Sequence, residues 1–203
     1  MKNQMFRSAL MLAVIGFPAI ASAEETIPQD GLWSRVGLGA ASTAYAAVAT
    51  PSGGSEVTLT ASGGAPELRA AVGTVISPGN VIHASLGFNR LAEPELKATG
   101  AGAEVTQQST RTLSLLSACA GLTHYFGSAS VTARGGYATQ SDDEDSDGSS
   151  GWISGAGLDY DFSASESSRF GVGLNFDYAE LEYDSGDAQS YASFGLFLNG
   201  TFY

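Results

Sequence analysis

Residues 169–181 read RFGVGLNFDYAEL. The even positions are Phe170, Val172, Leu174, Phe176 and Tyr178. The odd positions between them are Gly171, Gly173, Asn175, Asp177 and Ala179. Alternation of period two marks a strand whose two faces meet different surroundings. A sheet surface in water would carry Lys, Glu, Thr and Arg. This strand instead sets glycine, amide and carboxylate against an aromatic and aliphatic row. Glycine weakens a strand unless something needs the space it leaves. The lumen of a closed eight-stranded barrel is such a space, just wide enough for side chains to fill. The apolar row then faces lipid.

The same division recurs along the chain. Trp152, Ser154, Ala156, Leu158, Tyr160 and Phe162 oppose Ile153, Gly155, Gly157, Asp159 and Asp161. Ala192, Phe194, Leu196, Leu198, Gly200 and Phe202 oppose Tyr191, Ser193, Gly195, Phe197, Asn199 and Thr201. Ile82, Leu86 and Phe88 oppose His83, Ser85, Gly87 and Asn89; Val131, Ala133 and Tyr137 oppose Ser130, Thr132, Arg134 and Gly136. Val36, Leu38 and Ala40 oppose Arg35, Gly37, Gly39 and Thr43. Over 111–126 both phases are apolar; we place Leu116, Ala118, Ala120, Leu122 and Phe126 outside.

The pattern predicts eight strands, near 33–47, 66–77, 80–90, 111–126, 129–139, 151–162, 169–181 and 190–203. Their connections alternate in length. Ser77-Pro78-Gly79-Asn80, Gly127-Ser128 and Ser163–Ser168 are short and carry turn residues; Thr50–Ala65, Leu91–Thr110, Ser141–Ser150 and Glu182–Gln189 are longer or more polar. Short turns at one end and long loops at the other are the plan of an outer-membrane barrel. Each segment supplies the ~9–11 residues a tilted strand needs to cross the hydrocarbon. Aromatics cluster at both ends of the strands, as two interfacial girdles require. Tyr125, Phe126, Phe162, Phe170, Phe202 and Tyr203 lie by the short turns; Tyr45, Phe88, Tyr137, Trp152, Tyr178 and Tyr191 lie by the long loops.

The start of the chain reads as an export signal. Lys2 and Arg7 precede the apolar run Ala9–Ala21, and Ala21-Ser22-Ala23 fits a small-residue cleavage site. Cleavage would leave residues 24–203 as one barrel domain, with seven Lys+Arg against 21 Asp+Glu, a net charge of −14. That balance argues against nucleic acid as a partner. The single cysteine, Cys119, reads as an inert buried thiol.

The lumenal parity collects charges of both signs: Arg35, Arg69 and Arg134 against Asp159, Asp161 and Asp177, with His83. Charges in so narrow a space must be paired and hydrogen-bonded. Arg134 and Asp159 share parity on adjacent strands, and we predict that they pair.

With signal, eight alternating segments and a C-terminal strand YASFGLFLNGTFY, the chain resembles the small eight-stranded outer-membrane β-barrels of Gram-negative bacteria, the OmpA- and OmpX-like group. The resemblance implies an all-β, closed, antiparallel up-and-down transmembrane barrel. It also implies outer-membrane lipid, lipopolysaccharide and the barrel assembly machinery as partners. In that group the last strand resembles an assembly signal ending in an aromatic; here the apolar parity ends at Phe202, one residue before Tyr203.

Two motifs could carry chemistry. Asp143-x-Asp145-x-Asp147-Gly148 has the first half of a calcium loop, but Ser154 stands where the bidentate Glu belongs, so the reading is a solvated acidic loop. His83-Ala84-Ser85 faintly resembles the His-x-Ser of outer-membrane lipid A deacylases. Its place in the lumen, away from external lipid, favours a satisfied polar pair. The sequence predicts no catalytic residues, no cofactor and no metal. It predicts a structural or surface-interaction protein whose acidic outer loops meet an external ligand. The rival readings are a narrow pore with a charged lumen, a lipid-modifying enzyme, and a soluble lipocalin-like carrier, whose apolar pocket would reverse the pattern.

Overall fold

The computed structural model describes residues 31–49, 55–100, 103–143, 148–164, 167–183 and 188–203. The signal segment, Asp145 and Asp147 fall outside these residues. The described strands are β1 (Leu32–Ala49), β2 (Val57–Ser77), β3 (Asn80–Ala92), β4 (Glu95–Gly100), β5 (Ala103–Gln108), β6 (Thr112–Phe126), β7 (Ala129–Asp142), β8 (Ser149–Ala164), β9 (Ser168–Tyr183) and β10 (Ala188–Phe202). Eight of them form an antiparallel meander, β1-β2-β3-β6-β7-β8-β9-β10, and β1 closes it against β10 from Ser34↔Phe202 to Ala47↔Gln189. Closure leaves the meander no edge, the condition for strands to cross hydrocarbon.

The short turns fall where predicted. Pro78 and Gly79 join β2 to β3, and Gly79 has φ +76°, the left-handed value a Pro-Gly turn of type II requires. Gly127 turns β6 into β7 with φ +68°. The opposite end departs from expectation. β2 begins at Val57, not near Pro66, and the Leu91–Thr110 connection is no plain loop. It folds as the hairpin β4–β5, which pairs onto the outer part of β2 from Val57↔Gly100 to Ser62↔Glu95. Four strands, β1, β2, β4 and β5, thus project beyond the barrel at its long-loop end.

Side chains divide as the parity requires. Leu196 is 64% exposed and Asp177 is 4% exposed. Val36, Leu38, Leu86, Leu116, Leu122, Val131, Val172, Phe176 and Leu198 extend the exposed apolar surface around the wall, and the phase assigned to β6 holds. A continuous apolar wall of this kind suits acyl chains, not water. Trp152 and Tyr137 meet edge to face at the long-loop end; Phe126, Phe162, Phe170 and Phe202 ring the short-turn end. Four expected girdle residues are elsewhere. Tyr45, Tyr125 and Tyr191 are buried in the lumen, because their parity is that of the inner row. Tyr203 likewise packs against the buried cluster of Trp33, Val81 and Tyr125.

Candidate functional site

The lumen is filled in tiers. At the short-turn end Trp33, Val81 and Tyr125 pack together, with Ala71, Val75 and Tyr203 against them. The Tyr125 hydroxyl accepts from Trp33 Nε1 at 2.9 Å and from Arg35 Nη2 at 2.9 Å. The Arg169 guanidinium lies 5.9 Å from the Tyr125 ring and 4.0 Å from the Asp161 carboxylate, and donates to the Gly127 carbonyl at 3.2 Å. At the long-loop end Tyr45, Leu91, Leu115, Ile153, Leu181 and Tyr191 form an apolar cluster. The main polar network lies between these plugs.

Glycine determines which charges meet. Arg134 on β7 lies opposite Gly155 on β8, and Gly155 lies opposite Asp177 on β9. With no side chain between them, Arg134 reaches across β8. Its Nη2 and Nε donate to Asp177 Oδ1 at 2.7 and 3.1 Å, and its Nη1 to Asn175 Oδ1 at 3.1 Å. A Cβ built on Gly155 would collide with Asp177 Oδ1 and lie 2.9 Å from Arg134 Nε. The next glycine repeats the device. Asp159 lies opposite Gly173 and accepts from Asn199 Nδ2 at 2.6 Å, where a Cβ on Gly173 would collide. The glycine row therefore gives passage to side chains that brace alternate strands.

The predicted Arg134–Asp159 pair does not form. Asp159 lies opposite Ser130, four positions down β7 from Arg134, and that is about 13 Å along a strand. Asp159 is taken instead by Arg35 Nη1 at 2.6 Å across the lumen, while Arg35 Nε donates to Thr201 Oγ1 at 2.9 Å. Arg69 donates to both Asp177 and Glu67. His83 Nε2 meets Thr123 Oγ1 at 3.1 Å, and Thr123 meets Thr132 at 2.8 Å, so His83 is bonded away from Ser85. Asp143, of the calcium-like segment, accepts the Thr112 backbone N–H at 2.9 Å, and that bond holds its carboxyl below the usual range.

Sequence reasoning missed Glu67 and Arg169. Both have inward parity, but each stood at the margin of an expected strand. With them the ion-paired charges inside come, among the described residues, to four guanidiniums and four carboxylates: Arg35 and Arg169 with Asp159 and Asp161, Arg69 and Arg134 with Glu67 and Asp177. Each group of four is neutral, as a low-dielectric interior demands. A cavity between them, of about 50 Å³, holds no more than a few waters.

The glycine braces give a direct test. Gly155→Val is expected to cost about 2–3 kcal/mol in urea unfolding of the micelle-folded protein, because it overpacks the ion pair. Gly135→Val should be near neutral, since Gly135 faces outward and a Cβ there meets only the Ile153 carbonyl at 3.8 Å. Equal costs would reject the bracing.

No protein-family model and no curated protein matches the chain. Among solved structures it is similar to the outer membrane protein OprG of Pseudomonas aeruginosa, at 10% identity and TM-score 0.50, over 88% of this chain and 98% of that one. It is also similar to Neisserial surface protein A, at 13% identity and TM-score 0.48, over 83% and 96%. The attachment invasion locus protein Ail of Yersinia pestis gives 13% identity and TM-score 0.46, over 85% and 99%. The meander, its closure and the OprG likeness agree: the chain has the fold of the small eight-stranded outer-membrane β-barrels.

Proposed function

We propose that this is an integral protein of the bacterial outer membrane that acts through its external surface, with a lumen closed to solutes. The segment 1–23 would export it and be removed. Outer-membrane lipid and lipopolysaccharide would surround its wall, the barrel assembly machinery would insert it, and an external ligand would meet its long-loop end. The single observation that carries the reading is the filled lumen. Packed aromatic and aliphatic residues close both ends, and the charges between them are consumed by one another. A solute path would need groups free to exchange partners with water or ions; braced guanidinium–carboxylate pairs do not offer them. The same packing disfavours catalysis at His83 and Ser85, which face the interior. Surface action suits the architecture, because loops and projections carried on a rigid scaffold make contacts.

Planar-bilayer recording tests the reading. The purified protein should insert and give no discrete conductance steps. Reproducible unitary steps would overturn the closed lumen. The protein should also sediment with outer membranes and migrate as a compact species until boiled.

A further inference from the structure

We infer that the free edge of β5 is a docking strand, which takes an extended segment of a foreign polypeptide with apolar residues at alternate positions and Lys or Arg between them. The inference rests on the surface-acting reading above and names its element and its class of partner.

The sheet order ends in β2-β4-β5, and among the described residues β5 pairs only with β4. Which of its backbone groups are free follows from the ladder. Ser109 N–H donates to the Pro94 carbonyl at 2.9 Å, which makes 94/109 a hydrogen-bonded pair. In an antiparallel ladder such pairs alternate. Leu96/Gln107, Ala98/Val105 and Gly100/Ala103 are therefore bonded to each other, and Glu104 and Thr106 turn their N–H and C=O outward. Every residue of β5 is exposed. Edges of this kind are normally guarded by charged residues, above all Lys, by Pro or by a bulge. AEVTQQ (Ala103–Gln108) carries one charge, Glu104, which Lys97 engages, and it has no Lys, Pro or bulge.

The two faces of the projecting sheet define the partner. Leu59, Ala61, Leu96, Ala98, Ala103 and Val105 share the parity that faces the barrel axis, with Gln107 the polar member of the row on β5, and Leu59, Leu96 and Val105 are exposed. Thr60, Glu95, Lys97, Glu104 and Thr106 share the other face. A strand added to β5 continues both rows, so its side chains alternate between apolar and polar. Lys97 is already engaged by Glu104 at 2.8 Å and Arg111 by Asp142 at 3.1 Å, while among the described residues Glu56, Glu93, Glu95 and Asp143 set four negative charges around the hairpin against one cation, Arg90. A cationic polar row complements that surface.

A second copy in the same membrane does not fit. Copies of like sidedness are related by rotation about the membrane normal. Strands tilted by about 35–45° are then brought to a crossing of about 70–90° at most, far from antiparallel. Pure translation keeps strands parallel, but it sets the β5 edge against the back of the next copy. The occupant is therefore another chain.

The test uses the full protein in lipid nanodiscs and a fluorescein-labelled, end-blocked peptide of alternating Lys and Val, read by anisotropy. Saturable binding is expected. Thr106→Pro, which removes one outward N–H and leaves the β4 ladder bonded, should weaken it at least tenfold. Thr106→Val should leave it unchanged. The matching Glu-Val peptide should bind at least tenfold more weakly. Absence of binding, equal binding by Thr106→Pro with its compact barrel intact, or equal binding of the Glu-Val peptide would overturn the proposal. So would self-association of the wild type that Thr106→Pro abolishes. Failure here is separable from failure of the closed lumen, because a conducting barrel that still binds the peptide through Thr106 refutes only the latter.

Discussion

Asp177→Ala is expected to cost about 3–5 kcal/mol of unfolding free energy, measured by urea titration of the micelle-folded protein. Asp177 is buried and receives donors from two guanidiniums, Arg134 and Arg69. Without it, among the described residues, Arg134 keeps the Asn175 amide as its one hydrogen-bond acceptor, and Arg69 keeps Glu67 and the face of the Phe197 ring. The group of Arg69, Arg134, Glu67 and Asp177 passes from neutral to one uncompensated positive charge. Removing Arg134 as well should therefore cost less than the two single changes added together. A coupling above about 1 kcal/mol is expected for Arg134 with Asp177, and one near zero for Arg134 with Asp159. An Asp177→Ala penalty below about 1 kcal/mol would show that this group braces nothing.

The contrast between those two aspartates also shows what could be read in advance. Parity assigns a face, and parity was legible wherever one row meets lipid and the other meets a packed lumen. Height was not legible. Arg134 and Asp159 lie on strands joined by the long connection Asp143–Gly148, and a long loop leaves the register free. Only the register shows that Gly155, not Asp159, stands beside Arg134. The hairpin β4–β5 was hidden for a related reason. An exposed edge strand buries nothing, so AEVTQQ has no apolar period to betray it. Tyr45, Tyr125 and Tyr191 were read as girdle residues from their place near strand ends. Their parity was the better guide, and Tyr125 shows how the lumen takes a phenol, by donation from Trp33 Nε1 and Arg35.

Which row faces lipid can be decided by a single charge. Leu196 lies mid-strand on the outer face of β10, paired with Ala40 on one side and Leu174 on the other. Leu196→Arg is expected to cost about 2–4 kcal/mol when unfolding is measured by urea in phospholipid vesicles, the cost of a guanidinium near the bilayer midplane. Leu32→Arg, on the same outer face but at the start of β1, should cost only about 0–1 kcal/mol, because the side chain can reach the interface. Were water outside this wall, both changes would fall within about 0.5 kcal/mol of neutral, as exposed substitutions do. The gradient between the two positions thus carries the information. A charge tolerated equally at Leu196 and Leu32 would place solvent where the apolar wall requires acyl chains, and the ionic groups inside could not then be explained by a lipid-embedded barrel.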